Sequence, residues 1–402
     1  MVSETRIGQF DATGAPAAPS NSPQLAVQEP GSSSPGGLHS LIENIHKKRI
    51  PKIDSLRAVS ALFVVLYHAG LTFIPAGLGV MVFFVISGFL ITWLLLTEID
   101  NSGTISLGHF YFRRTFRIFP AFYVFWAFTV TGLLVKHGHI LWGQVIATFF
   151  YVGNYYQGLN HYPETSLSHA WSLGVEEQYY LLWPALVLLL ARKPKLLLRV
   201  SCWGILLVWL YRAILVFLGA PQEYIYTAFD TRIDQLLVGC VVAISLRYGS
   251  LSRFWACVCA RSSYMLLPLG GLILSTWGAA MYGPQYRDTA GFIVDPLMVA
   301  ILMAQLIASR SRWLAWMDSA PLVYLGAISY STYLYNEIGA YQLNRAFGNM
   351  PKALVILIAL LLTYMAASIS YFAVEKPFLR MRARIESRYR SARTVAAKPA
   401  SR

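Results

Sequence analysis

The sequence contains few charged residues for its length. Asp, Glu, Lys and Arg make up 13% of its 402 residues, which is about half the share found in soluble domains. Hydrophobic residues make up 56%, and they occur in blocks of about 20, the length that a helix needs to cross the hydrocarbon core of a bilayer. This composition excludes an ordinary soluble protein and predicts an all-α, polytopic integral membrane helix bundle.

Cysteine is scarce and shows no ligand-like spacing. The four cysteines are Cys202, Cys240, Cys257 and Cys259, and they form no Cys-x-x-Cys pair and have no histidine cluster beside them. A disulfide framework and a zinc site are therefore not expected, and we predict no metal. Packing as small apolar side chains is the ordinary role of such residues.

The N-terminal part of the sequence lacks the apolar core of a signal peptide. Residues 1–45 are rich in Ser, Pro, Gly and Ala, as in APAAPSNSPQ, and we predict a disordered cytoplasmic tail there. Residues 46–380 are predicted to form the transmembrane domain, and 381–402 a basic cytoplasmic tail. No internal repeat is evident, which argues against an inverted-repeat transporter.

Ten apolar segments are long enough to span a membrane. They are 54–74, 78–97, 116–135, 174–191, 196–218, 229–247, 263–282, 290–309, 321–343 and 351–373. An eleventh stretch, 141–156, is shorter and interrupted by polar residues, and we predict that it is interfacial or re-entrant.

The excess of basic residues supports this count. A net charge of +14 would indicate a nucleic-acid partner in a soluble protein, but here the positive-inside rule accounts for it and no nucleic acid is expected. Ten spans with both termini in the cytoplasm place most Lys and Arg on the cytoplasmic side. Treating 141–156 as a span would move two basic loops outside.

The first predicted span carries two ionisable residues on one face. Arg57 and His68 are eleven residues apart, close to three helical turns, so they share a stripe and lie about 16 Å apart along the axis. Ionisable groups inside hydrocarbon are costly and commonly functional. A hydrogen-bonded contact between helices is the alternative role of His68.

A second motif, FYFRRTFRIFP, concentrates positive charge at the start of a helix. Arg113 and Arg117 lie four residues apart and face the same way, with Arg114 beside them. Three guanidinium groups there could grip phosphates through bidentate hydrogen bonds. They could equally be an ordinary cytoplasmic anchor of the helix.

A third motif, SHAWSLGVEEQYYLLWP, places two carboxylates in the first turn of a predicted span. Glu176 and Glu177 are expected on the outer side, near the depth of His68. A carboxylate in that position could orient an imidazole and raise its basicity. A solvated pair that stabilises the helix dipole is the alternative.

Seven motifs, in this order along the chain, resemble landmarks of the acyltransferase-3 family of membrane O-acyltransferases. They are SLRAVSALFVVLYH, GVMVFFVISGFLIT, FYFRRTFRIFPAFY, SHAWSLGVEEQYYLLWP, RIDQLLVGC, LGAISYSTYLYNEIG and VEKPF. The resemblance covers about residues 50–380. Many relatives carry a histidine where this chain has Asn336, which forms hydrogen bonds but is not a base near neutral pH.

The resemblance implies transfer of an acyl group, most commonly acetyl, from cytoplasmic acyl-CoA to a hydroxyl of a carbohydrate. The acceptor would be an exopolysaccharide, a lipopolysaccharide or an oligosaccharide on the outer side of a bacterial inner membrane. Acyl-CoA would be the donor substrate, and no cofactor would be bound permanently. The partners implied are the donor, the acceptor and membrane lipids.

The resemblance also implies roles for the residues in these motifs. The predicted donor-binding residues are Arg113, Arg114, Arg117 and Ser87. The predicted catalytic residues are His68, as general base, Glu176, which would orient His68, and Arg57, at the entry of the donor arm. Small residues Ser60, Ser87 and Gly88 would leave room for that arm. An acyl-histidine intermediate is the rival chemistry to direct transfer.

A transporter or flippase for a glycan or glycolipid is the alternative function. Buried ionisable side chains could form an ion or proton path in such a protein, and the candidates are Arg57, His68, Asp234, Asp295 and Glu337. A purely structural scaffold is a third possibility, and it predicts that these residues tolerate apolar replacement. The sequence does not indicate an oligomeric state.

Overall fold

A computed structural model describes residues 36–47, 49–135, 140–346 and 351–396. Across these residues the chain is helical, without strands. The α-helices are α1 (Gly36–Ile45), α2 (Pro51–His68), α3 (Ala76–Ser102), α4 (Leu107–Val135), α5 (Trp142–Phe149), α6 (Gly153–Leu159), α7 (Trp171–Leu190), α8 (Pro194–Phe217), α9 (Gln222–Thr227), α10 (Phe229–Tyr248), α11 (Ser252–Val258), α12 (Leu266–Tyr286), α13 (Phe292–Ala308), α14 (Ala320–Ala327), α15 (Ser329–Ala346), α16 (Lys352–Ser370) and α17 (Lys376–Ala396).

Within the described residues, five helical stretches are long and apolar enough to cross a membrane, or six if α9 to α11 form one bent span. One of them, 262–308, has 47 residues. At about 1.5 Å per residue it would extend about 70 Å, more than twice the hydrocarbon thickness. The stretch is not one straight helix: α12 is kinked near its end at Gly283, whose φ of 68° is not helical, and α13 follows after the turn at Arg287–Gly291.

Two predicted segments are built from shorter helices. The segment 321–343, predicted as one span, is divided at Ile328 between α14 and α15. The interfacial or re-entrant stretch 141–156 contains α5 and the start of α6, of 8 and 7 residues, and neither helix is long enough to span a bilayer.

The predicted disordered tail is corrected in part by α1. Residues 1–35 lie outside the described residues, but 36–45 form a helix that packs against α13. Leu38, Leu41 and Ile45 follow a helical period and are buried, and Asn44 Nδ2 donates a hydrogen bond of 2.8 Å to the carbonyl of Ile307. The Ser- and Pro-rich composition of the preceding residues obscures this short amphipathic pattern. At the other end, α17 extends through the predicted basic tail to Ala396.

The outer surface of the bundle is apolar. α8 exposes Leu207, Leu210 and Phe217, with relative exposures of 62%, 60% and 89%. α12 and α16 expose similar rows of large apolar side chains. Exposed apolar faces of this extent on long helices are typical of contact with lipid, so the chain is built as a membrane protein.

α3 and α10 approach each other closely through two glycines. A Cβ atom on Gly88 would lie 1.9 Å from the carbonyl oxygen of Leu236, and one on Gly239 would lie 2.1 Å from that of Val85. Each helix therefore offers a glycine to the backbone of the other, as small residues do in membrane helix pairs. Gly88 serves this packing, whereas the sequence predicted that it leaves room for the donor.

Buried cations near α10 are stabilised in two different ways. Arg212 of α8 forms two hydrogen bonds with Asp234, at 3.0 and 3.1 Å, and both side chains are buried. Arg232 is also fully buried, but its guanidinium has no hydrogen-bond partner within the described part of the chain. It lies over aromatic rings instead, 4.0 Å from the centre of Phe292 and 5.1 Å from that of Tyr226, in cation–π contact.

We expect Gly88→Ala to destabilise the bundle. The added methyl group meets backbone atoms that cannot rotate away, and such overpacking costs about 1–3 kcal/mol. The matched control is Gly132→Ala in α4, since no atom lies within 4 Å of the added Cβ there. Thermal unfolding in detergent should show a lower midpoint for Gly88→Ala than for wild type and Gly132→Ala. Equal midpoints would contradict the packing described here.

Candidate active site

A cavity of about 1490 Å³ lies between the first half of α2, α3, the first half of α4 and α7. It extends to the end of the bundle at which α2 and α4 begin, where Lys47 and Arg49 line it. Arg382 and Glu386 of α17 border it on one side. The volume exceeds that of about 300–1,000 Å³ common for small-molecule sites, which leaves room for an extended ligand.

Six of the seven predicted site residues line this cavity. They are Arg57, Ser87, Arg113, Arg114, Arg117 and Glu176. The three arginines of α4 occupy its first three turns, and the helical spacing that relates Arg113 to Arg117 directs both into the space between helices. The structure therefore brings together the four residues predicted to bind the donor, which come from two different helices, α3 and α4.

The arginines differ in the groups that they contact. Arg113 lies 3.2 Å from Glu98 in a salt bridge, and Arg114 lies over the ring of Tyr180, 4.9 Å from its centre. Arg57 and Arg117 form no salt bridge or hydrogen bond with any described residue. Guanidinium groups that form no salt bridge and face a cavity make an environment suited to an anion.

Glu176 is not where the sequence predicted it. Its two oxygens accept hydrogen bonds from Ser87 Oγ at 3.2 Å and from the Tyr180 hydroxyl at 2.8 Å, and it interacts electrostatically with Arg57. It does not orient His68. α7 begins at Trp171, near the end of the bundle at which His68 lies. Glu176 is five residues further along α7, so it lies about 8 Å along the helix axis from that end.

The carboxylate that does reach His68 belongs to Glu337 of α15. Glu337 Oε1 lies 3.6 Å from His68 Nε2, and Oε2 lies 3.2 Å from His169 Nδ1. The remaining ring nitrogens face backbone carbonyls, with His68 Nδ1 at 2.9 Å from Val64 O and His169 Nε2 at 3.1 Å from Leu334 O. We refer to His68, Glu337 and His169 as the imidazole cluster.

A thin wall separates the cavity from the imidazole cluster. Tyr333 and Ser172 line the cavity at the end far from the entrance, whereas none of the three cluster residues lines it. The Tyr333 hydroxyl donates to the backbone carbonyl of His169 at 2.8 Å and accepts from Ser172 Oγ at 2.5 Å. The rings of Tyr333 and His169 lie 5.5 Å apart, so the wall is one side chain thick.

Sequence reasoning missed the pairing of Glu337 with two histidines. The carboxylate was visible as an ionisable residue within an apolar segment, but its contacts join α2, α15 and the turn before α7, which no spacing along the chain reveals. Asn336 stands at the position where many relatives have histidine, and its Nδ2 donates to the carbonyl of Tyr333 in its own helix.

Comparison with known proteins identifies the family of this chain. The model of an acyltransferase domain family matches residues 50–375. Peptidoglycan O-acetyltransferase OatA of Listeria monocytogenes is 31% identical over 357 residues, which cover 82% of this chain and 56% of that protein. O-acetyltransferase OatA of Staphylococcus aureus is 29% identical over 353 residues, which cover 84% and 58%.

The chain thus spans little more than half the length of these curated relatives. No solved structure matches it. The family match includes α2, which carries Arg57 and His68, the arginines of α4, and the helices α7 and α15 that complete the site. Because that match extends over well more than half of the sequence, the chain belongs to the acyltransferase-3 family.

Proposed function

We propose that the chain transfers an acetyl group from cytoplasmic acetyl-CoA to a hydroxyl of a carbohydrate on the outer side of a bacterial inner membrane. The observation that carries this proposal is the placement of a cation-lined cavity at one end of α2 and an imidazole–carboxylate cluster at the other. The relatives' names support O-acetylation, and one supports a peptidoglycan acceptor. Exopolysaccharide, lipopolysaccharide and oligosaccharide are the other acceptors that we propose.

The proposed orientation has ten membrane crossings and both termini in the cytoplasm. The basic loops then lie inside, as the positive-inside rule requires. The cavity entrance, with Lys47, Arg49 and the arginines of α4, faces the cytoplasm, where acetyl-CoA is made available to the enzyme. The imidazole cluster lies in the outer half of the membrane, close to the acceptor.

Donor binding follows from the charges in the cavity. Arg57 and Arg117 have unused hydrogen-bond donors, and Arg113 and Arg114 add charge at the same helix end. The phosphates of the CoA nucleotide interact strongly with such a cluster, whereas the uncharged pantetheine arm does not. Ser87, held by Glu176, lies deeper and would line the path of the pantetheine arm. No permanently bound cofactor is needed for this chemistry.

The acetyl group must pass the wall formed by Tyr333 and Ser172. Rotation of the Tyr333 side chain would break its hydrogen bonds to Ser172 and His169 and open the cavity toward His68. His68 then acts as general base on the acceptor hydroxyl, which attacks the thioester carbonyl. An acetylated His68 intermediate is the rival chemistry.

One of the buried residues of the transporter alternative is held in an ion pair. Asp234 forms a close ion pair with Arg212 and also accepts a hydrogen bond from Trp209 Nε1 at 3.0 Å, so it is not free to exchange ions or protons. A reconstituted assay separates the two functions. An acetyltransferase consumes acetyl-CoA in proportion to glycan acetylated, whereas glycan movement by a transporter does not depend on acetyl-CoA.

We expect His68→Ala to abolish acetyl transfer while leaving donor binding intact. Loss of a general base typically costs about 10²–10⁴-fold in rate, and His68 lies beyond the wall from the donor cavity. Transfer of radiolabel from acetyl-CoA to envelope glycans would be measured in membrane vesicles, with CoA binding as the test of folding. The control is His161→Ala on the exposed loop. Near-normal transfer by a His68→Ala protein would remove the assignment.

Arg117→Ala is expected to weaken binding of CoA by at least about tenfold. Hydrogen bonds to charged groups contribute about 1.5–3 kcal/mol each, and Arg117 forms no salt bridge with a described residue, although Glu375 interacts with it electrostatically. Arg113→Ala should have a smaller effect, since Glu98 already neutralises that charge. Radiolabelled CoA binding to purified protein measures both, with the exposed Arg253→Ala of α11 as control. Equal affinities in Arg117→Ala and the control would count against the phosphate site.

A further inference from the structure

Three residues from separate parts of the chain meet at the end of α2. His68 is the last residue of α2, Glu337 lies in α15, and His169 lies in the short turn before α7. Glu337 is 8% exposed and His169 is 3% exposed. We propose that Glu337 and His169 are positioning residues of His68, and that the three side chains together hold the proton released by acyl transfer. This inference rests on the function proposed above.

The hydrogen bonds to the backbone determine which nitrogen of each imidazole is available. A carbonyl oxygen only accepts hydrogen bonds, so His68 Nδ1, at 2.9 Å from Val64 O, carries a hydrogen. Nε2 of the neutral ring is then an acceptor, and it is the nitrogen that faces Glu337. His68 is therefore held in the tautomer in which Nε2 is the base.

The same argument applies to His169, with its nitrogens exchanged. Nε2 donates to Leu334 O at 3.1 Å, which leaves Nδ1 of the neutral ring as an acceptor. Nδ1 is buried and has no donor directed at it among the described residues. The rings of Phe125 and Tyr333 pack edge-to-face against His169, with centres 5.6 and 5.5 Å away, which fixes its orientation.

If both imidazoles were neutral and Glu337 were ionised, His68 Nε2 and His169 Nδ1 would each face the Glu337 carboxylate without a hydrogen between them. A buried polar atom without a partner is costly, and His169 Nδ1 gains a partner when a proton lies between it and Glu337 Oε2. The other titratable side chains near the cluster are Tyr67, Tyr162, Glu164 and Tyr333. Since phenols are neutral near neutral pH, Glu164 is the one of these four described side chains that adds charge.

The contacts define a path for one proton during the reaction. As the acceptor oxygen forms its bond to the acetyl carbon, its O–H bond breaks and His68 Nε2 takes the proton. Glu337 Oε1 lies beside that nitrogen, and Oε2 leads to His169 Nδ1. The thioester C–S bond breaks with its electron pair on sulfur, and the thiolate regains one proton from the cluster, so the products are the acetyl ester and CoA.

The test compares variants that keep size but cannot hold the proton. Glu337→Gln should lower kcat about 100-fold, and His169→Asn about tenfold. Because both act through His68, the double variant should be no more than about threefold slower than Glu337→Gln, whereas independent effects would multiply to about 1,000-fold. Glu337→Asp, which restores the carboxylate, should recover about tenfold over Glu337→Gln.

Two controls separate this role from a structural one. Glu223→Gln in α9 and His161→Asn on the loop make the same chemical changes away from the cluster, and both should retain wild-type kcat. The KM for acetyl-CoA should stay within about threefold in every variant, because the donor cavity is unchanged. Radiolabelled CoA binding identifies any variant that has failed to fold. The kcat values of the single variants that do fold then test the role of the cluster.

The outcomes distinguish this inference from the proposed function. Acetyl transfer by wild type together with unchanged kcat in Glu337→Gln would overturn the role of the cluster and leave the function standing. A multiplicative loss in the double variant would also overturn it, since the residues would then act separately. Absence of acetyl-CoA-dependent transfer in wild type would overturn the proposed function itself, and this inference with it.

Discussion

A charged side chain inside a membrane needs a partner, an aromatic surface or water, since hydrocarbon offers no hydrogen bond. The bundle meets this requirement differently at each site. Arg212 is paired with Asp234, Arg232 is enclosed by aromatic rings, and Arg57 and Arg117 face a cavity. The helices bring Arg57 and Arg117, which form no salt bridge with a described residue, to one cavity that a ligand carrying negative charge can enter.

The site is divided between the two ends of α2, and this division matches the chemistry proposed for it. Arg57 and His68 are joined by one rigid helix, so the distance between donor-binding charge and base is set by the helical rise. The neighbouring helices add different groups to the two ends. α4 adds arginines at one end, and α15 brings Glu337 to the other. A rigid connection of this kind holds the donor-binding charge and the proposed base in a fixed relative position.

Features that follow from regular helical spacing were predictable from the sequence, whereas the relative depth of residues on different helices and short local patterns were not. The shared stripe of Arg57 and His68 and the facing of Arg113 and Arg117 follow from 3.6 residues per turn. The assignment of Glu176 to His68 was wrong, because relative depth across helices depends on where α7 begins. The break at Ile328 and the amphipathic α1 were missed, since composition averages over short local patterns.

The side chain of Tyr333 has a consequence for the cell as a whole. An open pore would join the two faces of the membrane directly, but it would also conduct ions and discharge the ion gradients across a bacterial membrane. In the proposed function, the Tyr333 ring, held by two hydrogen bonds, closes the path to ions and rotates to let the acetyl group pass. In the proposed orientation, an acetyl group can cross while the membrane stays electrically sealed.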